Sequence, residues 1–378
     1  MKKLSGIVAF LAAILILTTG IVLYARGYRP NLRERSLEAT GVVSIKSKPS
    51  GATVYIDGEQ KGTTDLDIPE LSPGKYKIKV TKEGFSTWEK EISLKKEVVK
   101  PIEAILFPIA PSLKALTFTG VTNPRLSPAG DKIVFALQNK NQGETGSSGS
   151  QSGIWALNLT TNPLPSFLSK DLKELVSDTK EFAFSSSEFD FSPDGKQLLV
   201  KLASQSIYFL IDTSKKNENP KEVTLDVEKI KQDWDKKASS SRKNQLKSLG
   251  ESAESLTASL TNLVFSPDKN SFFGSKIDGS TILYDGKPKP DGSKEPKIFN
   301  LPAAEKYSWY PDSEHVILVN KNIISIVEAD SANNVPIYTG TFDPNFVVPW
   351  PDGSRLVITT NLNSNAASLP NLYAIELH

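Results

Sequence analysis

Two histidines, His315 and His378, and no cysteine supply all the imidazole and thiol in this chain of 378 residues. That excludes disulfides, thiolate zinc sites, iron–sulfur clusters, cysteine nucleophiles and a lipid-modified cysteine near the N-terminus. It also leaves neither a His-rich metal centre nor a Ser-His-Asp triad, because one of the two histidines is the last residue. No phosphate loop, G-x-G-x-x-G, H-E-x-x-H or G-x-S-x-G pattern occurs. Carboxylates are what remains. Asp190 and Asp194 suggest a glycosidase pair or a calcium loop, but a calcium loop needs closer alternate ligands and a distal Glu. Asp194, Asp268, Asp312 and Asp352 each sit in a turn, where a carboxylate caps backbone N–H groups without any catalysis. His315 lies beside an apolar run and reads as structural, and Trp309 and Trp350 read as core residues. No catalytic residue, metal or cofactor is expected.

The turns that hold these acids repeat. Ser127-Pro128-Ala129-Gly130-Asp131, Ser192-Pro193-Asp194-Gly195-Lys196, Ser266-Pro267-Asp268-Lys269, Tyr310-Pro311-Asp312-Ser313 and Trp350-Pro351-Asp352-Gly353 are five copies of one unit. Each is followed by a short apolar run and then by a second one, such as Ile207-Tyr208-Phe209-Leu210-Ile211. Turn plus strands at this recurrence predicts the blades of a β-propeller. The pattern is similar to the TolB-type and WD-like propeller repeats of bacterial envelope proteins. The five prolines are spaced by 65, 74, 44 and 40 residues. Blades of about 40 to 45 residues fit the last two intervals, so the first two carry insertions.

One insertion, residues 138–152, is Gly/Ser-rich and reads as a flexible loop. The other, residues 222–262, is helical in pattern. Val227, Ile230 and Trp234 fall at spacings of three and four, as do Leu246, Leu249, Ala253, Leu256 and Leu260 on a second segment. Ser239-Ser240-Ser241 between them suggests a helical hairpin. The stripe of Leu246, Leu249, Leu256 and Leu260, with Trp234, must be covered by the facing helix, by the propeller's own side or by a partner, and it is the candidate partner-binding element. Ala115-Leu116-Thr117-Phe118 is expected to pair with the last blade and close a ring of five. A sixth blade near residues 160–185 is the alternative.

Ahead of the repeats, Leu4 to Tyr24 gives 21 consecutive uncharged residues, enough to span a bilayer. Lys2 and Lys3 precede the run, and no small-x-small cleavage site follows it, which favours an uncleaved anchor over a cleaved signal. Arg26, Arg29, Arg33 and Arg35 after the run would hold the bulk of the chain in the cytoplasm by a literal charge count. The short lysine-bearing tail and the weak leverage of charge on long translocated domains favour the opposite: a single-pass protein with its bulk extracytoplasmic.

Residues 41–108 read as six or seven short strands. Tyr76, Ile78 and Val80 alternate with Lys75, Lys77 and Lys79, the period of a strand with one wet face. Turns fall at Pro49-Ser50-Gly51, Asp57-Gly58, Pro73-Gly74 and Glu83-Gly84. Together with Val54-Tyr55-Ile56, Gly62-Thr63 and Gly84-Phe85, this order resembles a PEGA domain, a small β-sandwich of bacterial and archaeal surface proteins. Ser50 stands in place of the Glu of the name, and Asp65 in place of a usual Pro. The resemblance implies an adhesive or spacer module without catalysis.

The reading is therefore a mainly β chain: an N-terminal transmembrane helix (1–28), a linker (29–40), a PEGA-like sandwich (41–108) and a β-propeller of about five blades (109–378). With 45 Lys+Arg against 43 Asp+Glu, no nucleic-acid partner is expected. The expected partners are the lipid bilayer, through the helix, and an envelope protein or polysaccharide. The rival reading is a propeller-type glycan hydrolase or lyase using acidic residues in the channel.

Overall fold

The computed structural model describes residues 2–25, 28–31, 36–138, 152–159, 172–203, 205–288, 295–362 and 369–377. The chain divides into two compact units, Met1–Ala110 and Pro111–Leu377.

In the first unit, helix α1 spans Lys2–Ala25, and its segment Gly6–Ala25 is long and apolar enough to cross a membrane. Large apolar side chains stand exposed all round it, Phe10 at 66% and Ile16 at 74%. With no wet face, such a helix is poorly solvated by water. Two of its hydroxyls bond back to the helix: Thr18 Oγ1 donates to Ile14 O at 2.8 Å and Thr19 Oγ1 to Leu15 O at 2.7 Å, so neither needs a water partner.

The rest of this unit is a two-stranded ribbon, Tyr28–Asn31 with Ser36–Ala39, and a β-sandwich. One sheet has three strands, with Gly41–Lys48 between Leu66–Leu71 and Val99–Ile105; the other has four, in the order Glu59–Thr63, Thr53–Ile56, Gly74–Thr81 and Trp88–Leu94. Alternation puts Val43, Ile45, Val54, Ile78 and Val80 in the core at 0% exposure. The opposite face of the hairpin is wet, and there Lys75 pairs with Glu91 at 2.9 Å and Lys77 with Glu89 at 2.6 Å. Exposed pairs of this kind contribute little stability.

Among the described residues, the second unit contains five four-stranded antiparallel sheets. Sheet I is Thr122–Leu126, Lys132–Leu137, Gly153–Asn158 and Leu172–Ser177; sheet II is Glu188–Phe191, Gln197–Lys201, Tyr208–Asp212 and Lys221–Glu222. Sheet III is Thr261–Phe265, Ser271–Ser275, Thr281–Asp285 and Lys297–Asn300; sheet IV is Lys306–Trp309, His315–Asn320, Ile323–Glu328 and Val335–Thr339. Sheet V joins Val347–Pro349, Arg355–Thr360 and Asn371–Glu376 to a strand from the start of the unit, Leu113–Ala115, paired Leu113↔Ile375 through Ala115↔Tyr373. Leu116 N–H extends that pairing to Leu372 O at 2.8 Å. The joining strand thus lies two residues earlier than its apolar pattern suggests, and Phe118 is 81% exposed.

The second strand of each sheet carries a buried apolar run rather than an alternation, and in sheets I and III both of its faces are covered by neighbours. Sheets I and II share one cluster, around Val134, Ile154, Phe189 and Leu198. Sheets V and I share another, with Trp350, Val357 and Leu372 against Ile133 and Phe135. Sheets III and IV share a third, with Phe273 and Leu283 against Trp309 and Val316. Residues 172–177, within the alternative sixth blade, form the fourth strand of sheet I, while 160–171 and most of the Gly/Ser loop (139–151) lie outside the described residues.

The insertion is helical but is not a hairpin broken at the serines. Helix α2 runs unbroken over Val227–Leu249, and a short α3 follows over Glu251–Thr257. The break falls instead at Gly250, at φ 92°, a backbone state open to glycine. Ser239, Ser240 and Ser241 lie inside α2: three serines only weaken a helix that has neither Gly nor Pro in its interior.

Candidate functional site

The five repeat turns adopt one geometry. Each joins the first and second strands of its sheet, and in each the opening residue donates its N–H to the carbonyl five residues on. These bonds are Ser127 to Lys132, Ser192 to Gln197, Ser266 to Ser271, Tyr310 to His315 and Trp350 to Arg355, all at 2.9 to 3.0 Å. The fourth residue has positive φ in all five: Gly130 71°, Gly195 70°, Lys269 64°, Ser313 61° and Gly353 75°.

The carboxylates are occupied within these turns. Ser192 Oγ donates to Asp194 Oδ1 at 2.6 Å and Ser266 Oγ to Asp268 Oδ1 at 2.5 Å. Asp352 Oδ1 accepts from Ser354 N–H at 2.9 Å. The Ser192 hydroxyl, then the Lys196 N–H, hold the Asp194 carboxyl below its ordinary range. Asp312 is the most enclosed of these acids. Its Oδ2 lies 2.7 Å from His315 Nδ1, and its Oδ1 accepts N–H bonds from Glu314 and His315 at 2.8 and 3.0 Å. Burial pushes that carboxyl up, but His315 and the two N–H groups together outweigh it and leave it lowered. His315 is 6% exposed.

Neighbouring turns also touch. Asp268 N–H donates to Ser313 Oγ at 3.0 Å, and the Tyr310 hydroxyl donates to Gly353 O. Burial, then the charges of Asp312 and Asp352, push the Tyr310 phenol far up. A Cβ on Gly353 would stand 2.5 Å from that hydroxyl. These contacts tie the turns of sheets III, IV and V to one another. Among the described residues no group of three or more His, Asp or Glu is placed to hold a metal ion.

The helical insertion makes a different kind of site. On sheet III, the face carrying Phe272, Ile282 and Tyr284 is covered by Ala253 and Leu260, with Leu246, Leu249 and Leu256 packed against the same cluster. The leucine stripe therefore lies on the protein's own sheet, and Leu260 is 8% exposed. Trp234 does not join it. It lines a cleft of about 640 Å³ between α2, the first two strands of sheet II and the first strand of sheet III. Lys231, Trp234, Asp235, Ala238, Arg242 and Gln245 come from the helix, Asp190, Phe191 and Leu199 from sheet II, and Leu263 and Phe265 from sheet III. The helical residues recur at three and four, which puts them on one side of α2.

The cleft has polar groups left over. Gln245 Nε2 is buried in its wall without a hydrogen-bond partner. Among the described residues Arg242, Asp235 and Asp190 make no ion pair and the Trp234 indole N–H no hydrogen bond. Lys231 is less free, with Glu228 at 3.9 Å and its ammonium 5.3 Å from the Tyr208 ring centroid. A second cavity of about 450 Å³, lined by Asn123, Arg125, Ser187, Glu188, Phe189 and Asp190, lies between the first strands of sheets I and II. Asp190 borders both. Of the site residues expected from sequence, then, Trp234 faces a cavity and the four leucines support the helix that walls it. Arg242, Gln245, Phe191 and Phe265 escaped the sequence reading.

The chain combines a small seven-stranded sandwich with a longer series of four-stranded antiparallel sheets. Residues 40–104, the sandwich, match the family model of the PEGA domain. No curated protein matches the chain. Among solved structures, TolB from Acinetobacter baumannii is similar at 13% identity and a TM-score of 0.25, over 80% of this chain and 59% of its own. A putative TolB from Agrobacterium tumefaciens is similar at 14% identity and a TM-score of 0.21, over 74% of this chain and 76% of its own.

Proposed function

We propose that the chain is a membrane-tethered, non-enzymatic binding module of the cell envelope that takes a protein partner. In this reading residues 1–28 are the tether, 29–40 a linker, 41–108 the PEGA-like spacer and 109–378 a closed five-bladed β-propeller. Closure is supported by the pairing of Leu113–Ala115 with Asn371–Glu376, which completes sheet V and leaves no free edge on that strand. The apolar cluster shared by sheets V and I supports it as well. The orientation, with the bulk outside the cytoplasm, rests on Lys2 and Lys3 ahead of the apolar segment Gly6–Ala25.

The observation that carries the binding role is the helical insertion. It is not needed to continue the repeat, it is held by its own leucines, and its remaining side walls a cleft with unpaired donors and charges. The binding reading is preferred to a glycan hydrolase because the turn acids Asp194, Asp268, Asp312 and Asp352 are engaged by turn hydroxyls and N–H groups. Crosslinking in intact cells, followed by purification of the full chain from membranes, tests this. The expected result is a protein partner recovered in stoichiometric yield. Recovery of none, or glycan cleavage by the purified full chain, overturns the reading.

A further inference from the structure

The cleft beneath α2 has a chemistry that narrows what it can hold. Its apolar wall is Trp234, Phe191, Leu199, Leu263 and Phe265, a surface that gains by covering an apolar side chain. Lys231 is drawn to Glu228 at 3.9 Å and to the Tyr208 ring, and Asp235 stands exposed on the helix. That leaves Arg242 on the helix and Asp190 on the strand as opposite charges across the cleft, neither paired among the described residues. Excluding water from an unpaired charge is costly, so an occupant must bring a partner for each. It must also offer acceptors to Gln245 Nε2, buried and unpartnered, and to the Trp234 indole N–H.

A neutral oligosaccharide offers acceptors but no ion. A polyanion satisfies Arg242 but is repelled by Asp190 and Asp235. An extended peptide meets every requirement, with side chains for the apolar wall, backbone carbonyls for the two N–H donors, a carboxylate for Arg242 and N–H groups for Asp190. Resting on the binding role above, we propose that the cleft takes an extended peptide segment in which an apolar or aromatic residue stands next to an Asp or Glu.

The test uses the full chain in detergent micelles. A random linear peptide library displayed on phage is selected on it, and an enriched peptide is synthesised with a fluorophore and titrated by anisotropy. Enriched sequences should place an aromatic or aliphatic residue beside an acid. Arg242→Glu should weaken binding by about tenfold or more. Trp234→Phe, which keeps the ring packing and removes only the N–H, should weaken it by a few fold. Lys236→Glu, exposed on the outer side of α2, should leave it unchanged, and circular dichroism should show the same helix content in all three. The proposal is overturned if no peptide is enriched, if enriched peptides ignore both cleft variants, or if a neutral oligosaccharide binds in a Trp234-dependent way. If the crosslinked partner is still recovered with Arg242→Glu, this assignment fails while the binding role stands; if no partner is recovered from wild type, it is that role that fails.

Discussion

At the scale of the residue, the repeat turn shows how one local requirement is met by different side chains. The fourth position is left-handed in all five copies, yet two of them carry Lys269 and Ser313 where the others have glycine. Lys269 is exposed and makes no ion pair among the described residues, so Lys269→Gly should relieve strain and raise stability by about 0.5 to 1 kcal/mol, read from urea midpoints. Ser313 is a poorer choice, because its hydroxyl accepts from Asp268 N–H. The turn acids also predict a pH dependence. Asp194, Asp268 and Asp312 are all held below their ordinary range, so each favours the folded state above about pH 4 and loses that contribution as acid protonates it. Urea unfolding should therefore show stability falling as pH drops from about 5 toward 3. Asp312→Asn, which cannot titrate, should lower stability at neutral pH and flatten the acid limb. These carboxylates were legible as turn residues because Pro, Asp and Gly act through bonds only a few residues long.

At the scale of the element, legibility depended on what lay nearby. The apolar runs of the second strands showed that strands exist, and in sheets I and III their lack of alternation is explained by cover on both faces. The cleft was not legible. Its helical wall runs through positions 231, 234, 238, 242 and 245, and a break assumed at Ser239-Ser240-Ser241 cuts that line in two. Asp190 and Phe265 reach it from strands remote in sequence, and no local pattern reports such a meeting. The joining strand was visible only approximately, since three residues carry little periodicity. Its contribution can be tested. Leu116→Pro removes the N–H that reaches Leu372 O and should destabilise the second unit by about 1 to 3 kcal/mol, measured by thermal unfolding. An unchanged melting point would mean that the added strand contributes nothing.

At the scale of the whole molecule, the absence of cysteine makes topology directly measurable. A single Lys236→Cys on the exposed side of α2 gives a unique thiol in an otherwise silent chain. In intact cells a membrane-impermeant maleimide should label it; labelling only after lysis would place the bulk of the protein in the cytoplasm. The strand exchange at sheet V has a consequence of another kind, in the order of biosynthesis. Thr117 and Gly120 bond to Asn371, whose partner Gly120 is 251 residues away, and Leu372 N–H bonds back to Thr117 Oγ1. A chain emerging from the ribosome therefore makes Leu113–Ala115 early and holds it without its mate until nearly all of the unit has followed. Contacts of such separation form slowly and leave partly folded species exposed in the meantime. A product cut short before Asn371 therefore keeps the Leu113–Ala115 edge open to proteases, whereas pairing with Asn371–Glu376 covers it.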